Sequence, residues 1–323
     1  MEFWGNFGWV VIGLVLLYFG AEWLVKGSSE IAIKFGISPL VVGLTEVAFG
    51  TSAPELLVCL QANFQDKGDL AIGNIVGSNI CNIAMVLGAS AIIYPLTIHQ
   101  QIIKREMVIL MAVSLVFVGM IYNGGLSQIQ GVLLFIGIIV YVVFSVVHAR
   151  RHPDIEADET PTPEEVEAVL AGGNKRVLIN VGIILLGIVL LYFGSDWLVF
   201  GAQAIAISLD VPEAIIALSL IAFGTSVPEL ATGVMASWRK QGDIVVGNAI
   251  GSCVFNLMAV GGLTAAVKPI VTTPALNLID LGVMLGTAGI GWAMMSNNRS
   301  ISRTEGAIML AAYLGYCFYL STR

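Results

Sequence analysis

The sequence predicts an all-α polytopic membrane protein with ten transmembrane helices in two inverted five-helix repeats, and three observations carry that prediction. Hydrophobic residues make up 57% of the 323 and charged residues 11%, against roughly 45–50% and 25% in soluble domains. Apolar segments of about 20 residues, each enough to cross a ~30 Å hydrocarbon core as a helix, recur along the whole chain. The second half also repeats the first at a fixed offset of 174 residues.

In chain order, the first five segments fall near 8–26, 38–63, 70–94, 105–122 and 128–148, and the second five near 177–199, 211–237, 244–267, 277–296 and 303–321. The opening MEFWGNFGWVV has no basic n-region and no small-residue cleavage site after its first apolar run, so it reads as a retained span, not a signal peptide. Between the halves, RRHPDIEADETPTPEEVEAVLAGGNKR reads as a cytoplasmic linker with one short amphipathic helix. Its Asp154, Glu156, Asp158 and Glu165 echo calcium-loop positions, but Glu159 stands where such a loop needs its turn glycine. The division is therefore 1–149 for the first repeat, 150–176 for the linker and 177–323 for the second repeat. Cys59, Cys81, Cys253 and Cys317 lie inside spans without metal-type spacing and read as small hydrophobes. Seven of the 22 acids crowd into residues 154–167, so the net charge of −7 says little about partners. No nucleic-acid role is supported.

The offset aligns GLVLLYFGAEWLVKG with GIVLLYFGSDWLVFG, GTSAPEL with GTSVPEL, and GNIVGSNICN with GNAIGSCVFN without a gap; residues 13–82 and 187–256 match at 31 of 70 positions. That period is too long for a solenoid and marks a duplicated half-protein. Five spans per half is an odd number, so the second copy enters the membrane from the opposite side, and a pseudo-two-fold axis lies in the membrane plane. Basic residues test this, because short cytoplasmic loops are rich in Lys and Arg. With the N-terminus outside, 12 of the 15 basic residues fall on the cytoplasmic side and only Lys67, Lys268 and Arg323 outside. Lys67 and the Arg239–Lys240 pair follow equivalent segments yet face opposite sides. The expected location is the plasma membrane, multi-pass, with the linker in the cytoplasm.

The chemistry sits in GTSAPE (50–55) and GTSVPE (224–229). An ionised carboxylate at the bilayer centre costs about 2.5–3.5 kcal/mol even on a permissive scale and needs a cavity, a partner or an ion. A helix from Ser38 to Phe64 is ~40 Å long at 1.5 Å per residue, which puts Glu55 somewhat past its midpoint; Glu229 does the same in the reversed helix. Neither span offers a nearby Lys or Arg, so the mutual repulsion of the two carboxylates calls for protons or a bound cation. Pro54 and Pro228 donate no hydrogen bond and clash with the carbonyls of Gly50 and Gly224, opening each helix where Thr51, Ser52, Thr225 and Ser226 stand. Irregular backbone at membrane depth is tolerated where it lines a cavity, and carbonyls, hydroxyls and carboxylates form a hard-oxygen set suited to Ca²⁺ or Na⁺.

The following span in each half adds a polar row at i, i+4 and i+8: Asn74, Ser78 and Asn82, then Asn248, Ser252 and Asn256. Ser78, Asn82, Ser252 and Asn256 lie deeper and read as ligands. Asn74 and Asn248 read as helix-to-helix glue, with Gly73 and Gly77 allowing close packing. Glu22 and its twin Asp196 lie near helix ends and read as interfacial. Glu46, whose twin is Leu220, is either a cytoplasmic-side entry residue or a helix-packing acid. Asp69 and Asp243, each after a glycine, read as N-caps.

On these paired motifs the chain resembles the cation/calcium exchanger superfamily, in its prokaryotic sodium/calcium exchanger-like branch, over essentially its whole length. The resemblance implies calcium exported in exchange for sodium by alternating access, with the first and sixth helices sliding across a rigid remainder. Matched by motif, the implied metal ligands are Glu55, Glu229, Thr51, Ser52, Thr225, Ser226, Ser78, Asn82, Ser252 and Asn256, with the carbonyls of Ala48 and Ala222. Asn256 departs from the Asp of potassium-dependent members, which argues against potassium co-transport and leaves two carboxylates to balance one Ca²⁺. More than two Na⁺ in its place would leave net charge, hence electrogenic exchange. The proton-coupled branch has Asn-Ala where this chain has Thr-Ser, yet a Ca²⁺/H⁺ antiporter using the same glutamates as proton carriers stays open. The partners implied are Ca²⁺, Na⁺ and the lipid bilayer, with no resident cofactor. An intramembrane hydrolase would need a nucleophile–base pair or metal-binding histidines, whereas His99, His148 and His152 lie in or beside loops. A passive channel differs in requiring no counter-ion.

Overall fold

The computed structural model describes residues 2–122, 124–151, 169, 171, 173–208, 222–272 and 278–322. The predicted linker falls mostly outside them, as do the calcium-loop echo and Leu220. Twelve helices carry the described chain: α1 (Glu2–Phe35), α2 (Pro39–Thr51), α3 (Ala53–Phe64), α4 (Gly68–Ile93), α5 (Met107–Ile121), α6 (Gln128–Arg151), α7 (Gly173–Ser208), α8 (Ala222–Thr225), α9 (Val227–Trp238), α10 (Gly242–Val267), α11 (Leu278–Ser296) and α12 (Arg303–Ser321).

Helices α1 and α7 pack antiparallel, and glycine lets them approach closely. Gly13, Gly20 and Gly27 recur every seven residues and so line one face of α1; Gly187, Gly194 and Gly201 do the same on α7. A Cβ at Gly13 would lie 2.8 Å from the carbonyl oxygen of Gly194, and one at Gly20 would lie 2.9 Å from that of Gly187. The contact is its own mirror under the 174-residue offset. Trp9 and Trp197 meet edge to face at 5.2 Å near one end.

Ser38 caps α2 by accepting from the Val41 N–H at 3.4 Å, with Pro39 in the first turn. The helix ends at Ser52 and restarts as α3 with a 42° bend. Ser52 and Ser226 share one backbone conformation, φ −83° and ψ 5° against φ −92° and ψ 4°. The break repeats in both halves because the proline following each withholds a hydrogen bond.

Helices α4 and α10 form the interior: 83% and 89% of their apolar windows are buried, against 28–33% for α1, α6, α7 and α11. Gly43 and Gly247 let α2 lie against α10, and a Cβ at Gly247 would meet the Leu40 carbonyl oxygen at 2.6 Å. The equivalent packing around Gly73 and Gly77 would involve residues 209–221, outside the described ones.

Two short antiparallel ribbons join the halves. Leu96–Thr97 (β1) pairs with Ser300–Ile301 (β4), and Gly125–Leu126 (β2) with Ile270–Val271 (β3). Side-chain staples repeat this pattern: Asn63 Nδ2 donates to the Lys268 carbonyl at 2.7 Å, and Ser237 Oγ to the Ser90 carbonyl at 2.6 Å. The ribbons escape sequence reading because two residues carry no period.

Six described helices are long and apolar enough to span a membrane, and the bent pair α2–α3 makes a seventh. Of the other three predicted spans, 105–122 becomes α5 after a π turn, Ile102–Glu106, that holds Lys104, Arg105 and Glu106. Segment 211–237 is described only from residue 222, and 303–321 is α12, capped by the Ser302–Glu305 box. Asp69 and Asp243 are not N-caps: the caps are Lys67 and Gln241, because each helix begins at the preceding glycine. In the first turn the two carboxylates face the positive end of the helix dipole.

Candidate ion-binding site

Each break delivers a glutamate into the first turn of the next helix, Glu55 in α3 and Glu229 in α9, and both are 0% exposed. They lie close enough to repel one another. Ser52 Oγ, from the first break, donates to Glu229 Oε1 at 3.4 Å, so the two halves interlock at this point. The Ser78 hydroxyl stands beside the Glu55 carboxylate. Among the described residues the ion pairs lie elsewhere, and neither glutamate has a basic partner.

The threonines and outer asparagines form a network between helices. Thr51 Oγ1 donates to Asn248 Oδ1 at 3.2 Å and lies 3.4 Å from Ser252 Oγ. Thr225 Oγ1 donates to Asn74 Oδ1 at 3.2 Å, the same bond in the other half. The Ala48 carbonyl accepts from the Ser52 N–H at 3.0 Å and from the Thr51 hydroxyl at 3.4 Å. Ala222 opens α8.

A second group of polar atoms is buried with no protein partner: both oxygens of Glu55, Oε2 of Glu229, the hydroxyls of Ser78 and Ser226, and the amide groups of Asn82 and Asn256. Asn82 and Asn256 each open a π turn, Asn82–Val86 and Asn256–Val260, an irregularity frequent at functional sites. Unpaired buried carboxylates are too costly to stand as bare anions. Carboxylate, hydroxyl and amide oxygens are the donors that hard cations take. The residues thus fit a cation between the two halves.

The remaining acids have plainer surroundings. Glu22 of α1 pairs with Arg239, its Oε2 accepting from Nε at 3.0 Å, while its twin Asp196 is exposed. Glu46 is half-buried in the π turn Gly43–Val47. Three polar clusters had no single-residue signal in the sequence. Glu30 accepts from Arg176 Nε at 2.8 Å and Asn180 Nδ2 at 3.0 Å. The fully buried Glu106 accepts from Tyr141 at 2.8 Å and from Arg105 at 2.6 Å. His99 Nε2 meets Asp243 Oδ1 at 2.8 Å. Apart from the neighbours Arg105 and Glu106, only the fold brings these partners together. Ser195 was missed likewise; its hydroxyl donates to the Gly224 carbonyl beside the second break.

A multi-pass bundle of apolar helices with two broken segments and a buried, oxygen-lined centre defines a membrane transporter. A family described as "Sodium/calcium exchanger protein" matches residues 5–147 and 179–322. CaxA of Alkalimonas amylolytica, a protein under an antiporter name, is 36% identical over 96% of this chain and 97% of its own. The sodium/calcium exchanger MaX1 of Methanosarcina acetivorans is 28% identical over 98% of each chain. The solved structure of the sodium-calcium exchanger NCX_Mj, soaked with 10 mM Na⁺ and zero Ca²⁺, superimposes with a TM-score of 0.80 at 30% identity over 96% of each chain. The chain belongs to the sodium/calcium exchanger family.

Proposed function

We propose that this protein is a secondary active antiporter that exchanges Ca²⁺ for Na⁺ by alternating access, with ions bound mid-membrane between two inverted five-helix repeats, 1–149 and 177–323, joined by the linker 150–176. The observation that carries this reading is the pair Glu55 and Glu229: fully buried, without a base, and presenting unpaired oxygens toward partners from both halves. Ser78, Asn82, Ser226 and Asn256 complete the proposed ligand set, with Ser52 bridging to Glu229. Thr51, Thr225 and Ser252 hold the helices that present it. Their hydroxyl oxygens, like the Ala48 and Ala222 carbonyls, would join the set after local rearrangement. Two carboxylates neutralise one Ca²⁺, and three or more Na⁺ in its place would carry net charge through the membrane. The glycine-faced pair α1 and α7 is in close contact along its length, which suits a unit that slides as one body. Basic-residue bias supports an N-terminus outside and a cytoplasmic linker, in the plasma membrane. No resident cofactor is needed.

A carboxylate in such a site can also hold a proton, so the same geometry would serve Ca²⁺/H⁺ exchange. Proteoliposomes decide between the two. Uptake of ⁴⁵Ca²⁺ is expected when driven by an outward Na⁺ gradient and not by a pH gradient alone; the reverse result overturns sodium coupling. Glu55→Gln or Glu229→Gln is expected to abolish uptake while folded protein remains in the membrane. Normal transport by either variant would discard the site.

A further inference from the structure

Two polar contacts fasten the α1–α7 pair to the second broken segment, and neither has a twin in the first half. Glu22 of α1 forms a two-pronged ion pair with Arg239 at the end of α9, Oε2 accepting from Nε at 3.0 Å and Oε1 from Nη2. The twin positions, Asp196 and Gln65, are both exposed and cannot form an ion pair. The Ser195 hydroxyl of α7 donates to the Gly224 carbonyl at 2.5 Å, which Pro228, four residues on, leaves without a helical donor. The twin of Ser195 is Ala21, which has no hydroxyl to offer Gly50. Packing is uneven in the same sense. Helix α1 lies along α9, whereas a cavity of about 210 Å³ is lined by Ile188 and Tyr192 of α7 and by Ala53 and Leu57 of α3.

We propose that Glu22 with Arg239 and Ser195 with Gly224 form a latch that holds the α1–α7 pair against the second repeat and favours the conformation described here over its mirror. The proposal rests on the reading of that pair as a sliding unit. The glycine seam and the bonds from Arg176 and Asn180 to Glu30 join the two helices, so a hold on either acts on both. In the mirror conformation α7 would seat along α3 as α1 now seats along α9, and each contact would exchange with its twin. Asp196 would then face Gln65, and Ala21 would face Gly50. An ion pair and a hydroxyl bond are lost there, and the twin residues cannot rebuild either. The two conformations therefore differ in free energy even with the same ions bound. On the proposed orientation Arg239 is cytoplasmic, so the latch grips the cytoplasmic end of the pair.

Spin labels at Lys26 on α1 and Thr304 on α12, both exposed, report the position of the pair in the full chain, with Cys317 replaced by serine and the other three cysteines buried. Two distances are expected in lipid nanodiscs, the major one matching the structure. Arg239→Gln is expected to lower the ratio of major to minor about two- to fivefold, and Ser195→Ala by a similar factor. Glu22→Arg combined with Arg239→Glu rebuilds the ion pair in reverse and is expected to restore the wild-type ratio. Gln65→Arg gives Asp196 the base it lacks, so it is expected to move the ratio in the same direction as Arg239→Gln although it adds an ion pair. A purely structural role for Arg239 would change the melting temperature and leave the ratio alone. Two distances in a ratio that neither Arg239→Gln nor Gln65→Arg moves overturn the latch and leave the sliding unit standing. A single distance in every variant, with Ca²⁺, with Na⁺ or with neither, overturns the sliding unit and the latch together. The labels and variants leave Glu55 and Glu229 in place, so the ion site is tested separately.

Discussion

At the residue scale, two glutamates are wholly buried in an apolar helical bundle. The costs of burying Glu55 and Glu229 are offset only by protons or cations, since among the described residues neither has a basic partner and Arg239, Arg176 and Arg105 pair with Glu22, Glu30 and Glu106. Asparagine has two roles that the structure separates. Asn74 bonds Thr225 and Cys59 across helices, while both ends of the Asn82 amide are buried and unpaired. Asn82→Ala is expected to weaken Ca²⁺ binding roughly tenfold or more, the 1.5–3 kcal/mol of a polar contact to a charged group, with little change in melting temperature. Asn74→Val is expected to do the opposite, lowering stability by about 1–2 kcal/mol and leaving affinity near wild type. Calorimetric titration with Ca²⁺ and thermal melts in detergent check both. Equal effects on both quantities would collapse the distinction.

At the scale of elements, the broken helices and the glycine seam have different physical origins. The breaks at Ser52 and Ser226 are local, set by Pro54 and Pro228, and were legible in the sequence as GTSAPE and GTSVPE. The seam between α1 and α7 is tertiary: seven-residue glycine spacing is visible in the chain, but its partner is not. Gly20→Val would drive a branched side chain against the backbone of Gly187 and Leu191, 2.9 Å from the Cβ position. Backbone cannot yield as a rotamer can. A loss of about 1–3 kcal/mol is expected, read as a lower melting temperature and impaired exchange, against no change in the lipid-facing control Leu314→Val, which is 60% exposed in the wild type. The π turns at Asn82 and Asn256 were invisible beforehand, because one extra residue per turn leaves no mark on apolar periodicity.

For the whole molecule, the duplication recurs in contact after contact: at the 174-residue offset, Thr51 with Asn248 and Thr225 with Asn74, and Asn63 at Thr264 and Ser237 at Ser90; and, shifted by one residue on one strand, β1 with β4 and β3 with β2. In each pair of contacts both halves supply a member, which is what two copies wrapped about one axis require. If the copies are inverted in the membrane, their equivalent loops face opposite compartments. Single cysteines at Lys67 and Lys240, with Cys317 replaced by serine, are expected to react with an impermeant thiol reagent from opposite faces of right-side-out vesicles, position 67 from outside. Labelling of both from one face would refute the inversion. Exact repetition also stops in places. Glu22 has Arg239, but the twin pair would be Asp196 and Gln65, which cannot form an ion pair.

The sequence by itself determined the environment, the repeat, the two helix breaks and the identity of the buried acids, because each is written in composition, spacing or a local steric rule. Contacts between distant segments were decided by the tertiary structure. Which hydroxyls are consumed in holding helices together, which amides stay unpaired, where Glu22 and Glu30 find their bases, and that Tyr141 reaches Glu106 all depend on residues far apart in the chain. Hydrogen bonds and steric fit act over a few ångströms, and only folding sets those separations.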